Sequence, residues 1–119
     1  MLFRFPKDDK NFSWTGHVKN KMIQYRLSEQ KIKTILRNPA RKEKGIAPDT
    51  DAVMMRNDTP KRKEELWVMY VQAAKGKPSL LGNPRKMRII SAWRYPGVSP
   101  KGKDIPVPED ILSELENIL

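Results

Sequence analysis

Apolar residues in this chain recur at helical spacing up to about residue 38 and at strand spacing from about residue 51. Val18, Met22 and Tyr25 stand at i, i+4 and i+7, which predicts a helix over Thr15–Arg26, with Trp14 closing one end of the stripe and Ile23 lying off it. A second helix is expected over Glu29–Asn38. Ser28 suits its N-cap, Leu27 and Ile32 take the two staple positions, and Ile32, Ile35 and Leu36 form the buried face. Pro39 ends it, because the residue before a proline is driven out of helical space. Three strands come next. Asp51–Arg56 holds Ala52-Val53-Met54-Met55, and Glu65–Ala73 is an unbroken apolar run suited to a strand covered on both faces. Lys86–Tyr95 alternates, with Met87, Ile89, Ser91, Trp93 and Tyr95 on one side and Arg88, Ile90, Ala92 and Arg94 on the other. The links Asn57–Glu64 and Ala74–Arg85 carry proline and glycine, as antiparallel connections do.

The expected fold class is α+β: two N-terminal helices packed on an antiparallel sheet of three strands, or four if Leu2–Phe5 adds an edge strand, with a C-terminal acidic helix at the end. Residues 1–95 form a basic α+β domain and 96–107 a proline-rich arm of polyproline-like character. Residues 108–119 form an amphipathic helix, with Pro108 in its first turn, Glu109 and Asp110 at its positive end, and Ile111, Leu112, Leu115, Ile118 and Leu119 along one stripe, all within what remains one domain.

Charge sharpens this picture. Residues 1–103 hold all 24 lysines and arginines against nine acids, a formal charge of +15, whereas residues 104–119 hold five acids and no base, a charge of −5. Clustered cations neutralise phosphates and release counterions, so a polyanion is the expected partner of the body. There are no cysteines and one histidine, so neither disulfides nor a metal centre is expected, nor any cofactor. No apolar run reaches the ~20 residues of a membrane helix, so no membrane partner is expected and a cytoplasmic location is the default.

The side chains with chemistry are few. His17 and Lys21 stand one turn apart on the first helix, Arg26 lies near its end, and Arg94 and Tyr95 end the last strand. Metal-independent cleavage of RNA needs a group to take the 2′-hydroxyl proton, cations for the phosphorane charge and an acid for the leaving oxygen. His17 and Tyr95 are the candidates for proton exchange; Lys21, Arg26 and Arg94 are the candidates for holding phosphate. Tyr95 or Trp93 offers a ring on which a base can stack. Two basic runs form the candidate nucleic-acid face: Lys31, Lys33 and Arg37 continued by Arg41, Lys42 and Lys44, and the loop Lys61-Arg62-Lys63. A solvated helix face or loop, a packing histidine and a core tryptophan are the plainer readings of the same residues. Glycine-rich phosphate loops, paired-carboxylate sites and nucleophile elbows are missing from the sequence.

The run Trp14-Thr15-Gly16-His17-Val18-Lys19-Asn20-Lys21-Met22, with Tyr25-Arg26-Leu27-Ser28 shortly after it, resembles a group of small bacterial and archaeal domains. That group opens with His-x-x-x-Arg-Met, then an Arg, an apolar residue and Ser, ahead of a second helix and a three-stranded sheet; it is similar to the BrnT and RelE-type toxins of toxin–antitoxin pairs. By that resemblance His17 takes the family histidine, Lys21 the Arg, Met22 the Met and Arg26 the later Arg. Lysine at 21 keeps the charge and loses the bidentate fork. The resemblance implies a ribonuclease, many of which act on messenger RNA at the ribosome, and an antitoxin partner. The expected function is therefore a metal-independent endoribonuclease of toxin type. The alternatives are a non-catalytic RNA-binding module and a protein-interaction module that works through the C-terminal helix.

Overall fold

The computed structural model describes residues 4–72 and 86–115. The elements run in the order β1 (Phe12–Trp14), α1 (Gly16–Tyr25), α2 (Glu29–Arg37), β2 (Arg41–Lys44), β3 (Asp51–Arg56), β4 (Glu64–Gln72), β5 (Met87–Pro96) and α3 (Glu109–Leu115). The architecture is α+β, as the pattern predicts, but the sheet has five strands in the order β1-β5-β4-β3-β2 and is mixed: β1 runs parallel to β5 and every other pair is antiparallel.

The two additional strands lie at the sheet edges. In β2 the residues are Arg-Lys-Glu-Lys, with Arg41 buried while Lys42 and Lys44 are exposed. Such a strand has no apolar alternation to detect, and its outward lysines discourage pairing with another chain. In β1, three residues end at Trp14, which pairs with Ile89 and packs in one core cluster with Val18 and Met22, closing the end of the α1 stripe as its place in the sequence suggests. The expected edge strand at Leu2–Phe5 lies partly outside the described residues, and its described part, Arg4 and Phe5, is not in a strand. The 74–85 link and Ile118 and Leu119 also lie outside the described residues.

Helix α1 starts where Thr15, in extended conformation, accepts a hydrogen bond from the Val18 N–H at 3.0 Å. The Thr15 hydroxyl donates in turn to the Ile90 carbonyl at 2.9 Å, which fixes the helix entry to β5. The helix stops at Arg26, which adopts the left-handed conformation at φ 55°. Ser28 caps α2 through the Lys31 N–H at 3.0 Å, and the staple pair Leu27 and Ile32 is fully buried.

Both faces of the central strands are covered. Val18, Met22, Leu27, Ile32 and Ile35 of the helical layer pack on Val53, Leu66, Val68, Tyr70, Ile89 and Ala92. The opposite face, Ala52, Met54, Trp67, Met69, Ile90 and Trp93, is covered by Ile105 of the arm and by Ile111 and Leu115 of α3. A bulge decides which β5 side chains reach which layer. Met69 pairs with Ser91 and Tyr70 with Ile89, so Ile90 has no partner. The simple alternation expected for β5 therefore breaks: Ile89 and Ala92 face the helices, while Ile90 and Trp93 face the arm.

The arm is held by a carboxylate enclosed completely within the protein. Glu65, with no exposed surface, accepts hydrogen bonds from Trp67 Nε1 at 2.9 Å, the Ser99 hydroxyl at 2.7 Å, the Ser99 N–H at 2.9 Å and Arg56 at 3.1 Å. Further along, Trp93 Nε1 donates to the Pro106 carbonyl at 2.7 Å. Replacement of Glu65 by Ala leaves the buried donors of Ser99 and Trp67, and the Arg56 charge, without their acceptor. We expect a loss of about 3–5 kcal/mol, measured by urea denaturation. Arg62→Ala, whose side chain is largely in solvent, should stay within about 0.5 kcal/mol of the parent.

Candidate functional site

The i, i+4 spacing of His17 and Lys21 sets both side chains on the flank of α1 that turns toward α3. There they meet a second pair at the same spacing, Asp110 and Glu114. Lys21 Nζ lies 2.7 Å from Asp110 Oδ2 and 3.0 Å from Glu114 Oε2, and it donates to Gln24 Oε1 at 3.0 Å. His17 Nδ1 lies 3.0 Å from the same Glu114 oxygen. Gln24 and Tyr25 complete the ring by donating to Asp110 at 3.1 and 3.2 Å. The donor side is the enclosed one: the His17 and Lys21 side chains are 6% and 5% exposed, against 48% for Glu114 and 37% for Asp110.

The other imidazole nitrogen, Nε2, lies 2.8 Å from the Ser91 hydroxyl. A carboxylate only accepts, so the proton of the neutral ring sits on Nδ1, and Nε2 accepts from Ser91. Hydroxyl, imidazole and carboxylate thus stand in the order used for nucleophilic catalysis. Ser91 is fully buried beneath the ring, however, so an electrophile cannot reach it in this arrangement.

Burial holds the His17 pKa below its ordinary value, with Lys21 acting in the same direction and Glu114 opposing both. For Lys21, burial works against the charge, but the hydrogen bonds to Asp110 and Glu114 outweigh it and raise the pKa above the usual lysine value. Asp110 shows the mirror effect: its burial is overcome by the bonds from Lys21 and Gln24, and its pKa falls. Tyr25 is raised, first by burial and then by the Asp110 charge.

The structure brings His17 and Lys21 together and places Arg94 and Tyr95 elsewhere. Arg94 donates through Nε to the Tyr25 carbonyl and through a terminal nitrogen to the Arg26 carbonyl at 3.1 Å, and it binds Glu64 with the other. It closes the C-terminal end of α1, where free carbonyls collect and a cation is favoured. Tyr25 is eight residues from His17, about 12 Å along the helix axis. Tyr95, half-buried, lines a cleft of about 500 Å³ with Tyr25, Arg94, Pro96, Pro106, Val107 and Pro108.

Among the basic residues expected on a nucleic-acid face, Lys31, Arg37, Lys42, Lys44, Lys61, Arg62, Lys63 and Arg26 are exposed. Lys33 is engaged, 2.8 Å from Glu29 and over the Phe12 ring at 4.9 Å. Arg41 turns inward instead of joining the face. Strand alternation in β2 points it over the Trp67 ring at 5.1 Å, where it bonds Ser99, the Pro100 carbonyl and Glu43. Sequence reasoning misses Ser91, Gln24, Asp110 and Glu114 as neighbours of the His17–Lys21 pair. The matched i, i+4 spacing of His17/Lys21 and Asp110/Glu114 is the available signal.

Among the described residues no helix is long and apolar enough to cross a membrane, and no group of three or more histidines and acids is arranged to hold a metal ion. Comparison with protein-family models, with curated proteins and with solved structures finds no match.

The site has a measurable signature, because His17 is the one histidine in the chain and gives an unambiguous NMR titration. Its midpoint should fall below 6.5, the ordinary histidine value. The unfolded chain then takes up this proton first as pH falls. Stability contributed here is therefore complete above about pH 6.5 and is lost as pH falls through the folded midpoint. A midpoint at or above 6.5 would show that the charge of Glu114 governs the ring rather than its burial.

Proposed function

We propose that this protein is a metal-independent RNA-cleaving protein of the toxin type, in which His17 exchanges protons and Lys21 holds the phosphate. The observation that carries this reading is the convergence of His17 and Lys21 on a single oxygen atom, Glu114 Oε2, at 3.0 Å each. A group that titrates near neutrality and a fixed cation thus address the same point, as cleavage through the 2′-hydroxyl requires. In that reaction the 2′-oxygen attacks phosphorus and the P–O5′ bond breaks. The 2′-hydroxyl proton leaves to the imidazole and returns to the departing O5′, giving a 2′,3′-cyclic phosphate and a 5′-hydroxyl. Ser91 suits this exchange, because a hydroxyl can either donate to Nε2 or accept from it. With Glu114 displaced and the neutral ring's proton held on Nε2, where Ser91 accepts its hydrogen bond, Nδ1 serves as base in one half of the reaction and as acid in the other. Lys21 faces the charge that develops on the phosphorane. The exposed cations of α2, β2 and the β3–β4 loop supply longer-range attraction to an RNA backbone, with the ribosome and a neutralising partner protein as further expectations of the resemblance.

A non-catalytic RNA-binding module is the second reading. It is favoured by the enclosure of His17, whose two ring nitrogens are both engaged. The interaction module acting through the C-terminal helix has less support, because Ile111 and Leu115 of its stripe are buried on the protein's own sheet.

A cleavage assay on single-stranded RNA in chelator, with and without ribosomes, tests the proposal. His17→Ala should reduce the rate by about 10²–10⁴-fold with an unchanged circular dichroism spectrum. RNA affinity should fall steeply between low and moderate salt in both parent and variant. Full activity in His17→Ala removes this site from the chemistry. Salt-dependent binding with no cleavage by the parent selects the binding module.

A further inference from the structure

The donors of the candidate site already hold an anion, and that anion belongs to the same chain. Lys21, His17, Gln24 and Tyr25 all point at the carboxylates of Asp110 and Glu114. A phosphodiester needs the same things from a protein: a cation, N–H and O–H donors, and partial exclusion of water. We propose that Asp110 and Glu114 occupy the phosphate position of the His17–Lys21 site, so that α3 is an autoinhibitory helix with which an RNA phosphodiester competes directly. The proposal rests on the functional reading above for the identity of the ligand.

The geometry shows which side of the site can yield. Ser91 lies in β5, which pairs with β4 along its length, so its bond to His17 Nε2 is part of the rigid sheet. Glu114 and Asp110 lie on a helix of which seven residues are described, attached through Ile111 and Leu115, and both carboxylates are partly open to solvent. The arm is fastened independently at Ser99, through Glu65 and Arg41. Between Ser99 and Ile105 lies an exposed turn, residues 101–104, with Gly102 at φ 76°. Beyond that turn the chain is fastened again by Ile105, buried in the second layer, and by the Trp93–Pro106 bond, so release of α3 leaves these contacts and the Ser99 clasp in place and moves only the chain beyond Pro106. That release frees Nδ1 of His17 and the ammonium of Lys21 together, because both bind the same Glu114 oxygen.

Charge alone is a weaker explanation, and it can be separated from competition. Removing any two acids strengthens binding of a polyanion somewhat, wherever they stand. Among the described acids, only Asp110 and Glu114 touch the donors. The full-length variants Asp110→Asn/Glu114→Gln and Asp104→Asn/Glu109→Gln carry the same net charge, and the second pair lies on exposed positions. A short oligouridylate with a 2′-deoxy block against cleavage serves as the binding probe, read by fluorescence anisotropy and by the ring resonances of His17.

Asp110→Asn/Glu114→Gln should bind the probe about tenfold more tightly than the Asp104→Asn/Glu109→Gln control, and the probe should move the His17 resonances. In the parent the same shift should appear only at higher probe concentration. Should the double variant lose its fold, Glu114→Gln alone releases the shared oxygen while retaining the Lys21–Asp110 pair, and should show the same gain in smaller measure. Equal affinity of the two double variants, with His17 resonances that the probe leaves unmoved, overturns the proposal. The two readings fail separately. A gain in affinity with shifted His17 resonances but no cleavage of unblocked RNA keeps the competition and removes the ribonuclease. Cleavage that depends on His17 and is equally fast in parent and variant keeps the ribonuclease and removes the competition.

Discussion

Strands β4 and β5 are apolar on both faces, and the rest of the structure is shaped by that constraint. A sheet of this kind is stable only between two layers. Helices α1 and α2 supply the first. The second has to be built from the segment C-terminal to β5, a proline-rich arm and a short acidic helix, because the remaining elements are committed to the helical side or to the sheet. Trp67 and Trp93, stacked at 6.2 Å between centroids, are the largest surface that this second layer must cover.

Covering that surface with so little regular structure explains the polar devices found there. An arm with few backbone hydrogen bonds of its own needs its polar groups satisfied by the body. Glu65 accepts the Ser99 N–H, Arg41 donates to the Ser99 and Pro100 carbonyls, and Trp93 donates to the Pro106 carbonyl. The arm then delivers α3 to the flank of α1, where the i, i+4 pairs of the two helices match in spacing and oppose in charge. The same ionic contact thus completes the second layer and surrounds His17 and Lys21, so packing and the candidate site draw on one set of residues.

How much of this is legible in the sequence varies with the kind of signal. The two helices, their caps, the strands near 51–56, 64–72 and 87–96, and the acidic helix are written in apolar periodicity and capping residues. Strand β2 is not, because Arg-Lys-Glu-Lys has no apolar face and looks like the continuation of a basic helix surface. Strand β1 is too short for any period. The β5 alternation holds as far as Ile89 and then breaks, since a bulge leaves no local mark in Ile-Ile-Ser-Ala. Of the candidate site, His17 and Lys21 are legible from their spacing. Arg94 and Arg41 are arginines at strand positions whose role depends on which carbonyls and rings lie beyond them, a tertiary fact. Asp110 and Glu114 are visible as a dipole-favoured helix start and an acidic face; their partners across the fold are not.

The parallel pairing of β1 with β5 bears on the order in which the molecule comes together. The β3–β4 ladder joins neighbours in sequence, whereas the bond from Thr15 to the Ile90 carbonyl spans 75 positions, and that from Lys21 to Asp110 spans 89. Closing such long loops costs entropy that local pairing does not, which favours an order in which the meander with α2 forms before α1 finds β5 and α3 finds α1. Until those closures occur, the chain already displays its positive surface but holds His17 apart from both Ser91 and Glu114. In the course of folding, the exposed positive surface of α2 and the β3–β4 loop therefore comes together before the His17–Lys21–Glu114 cluster does.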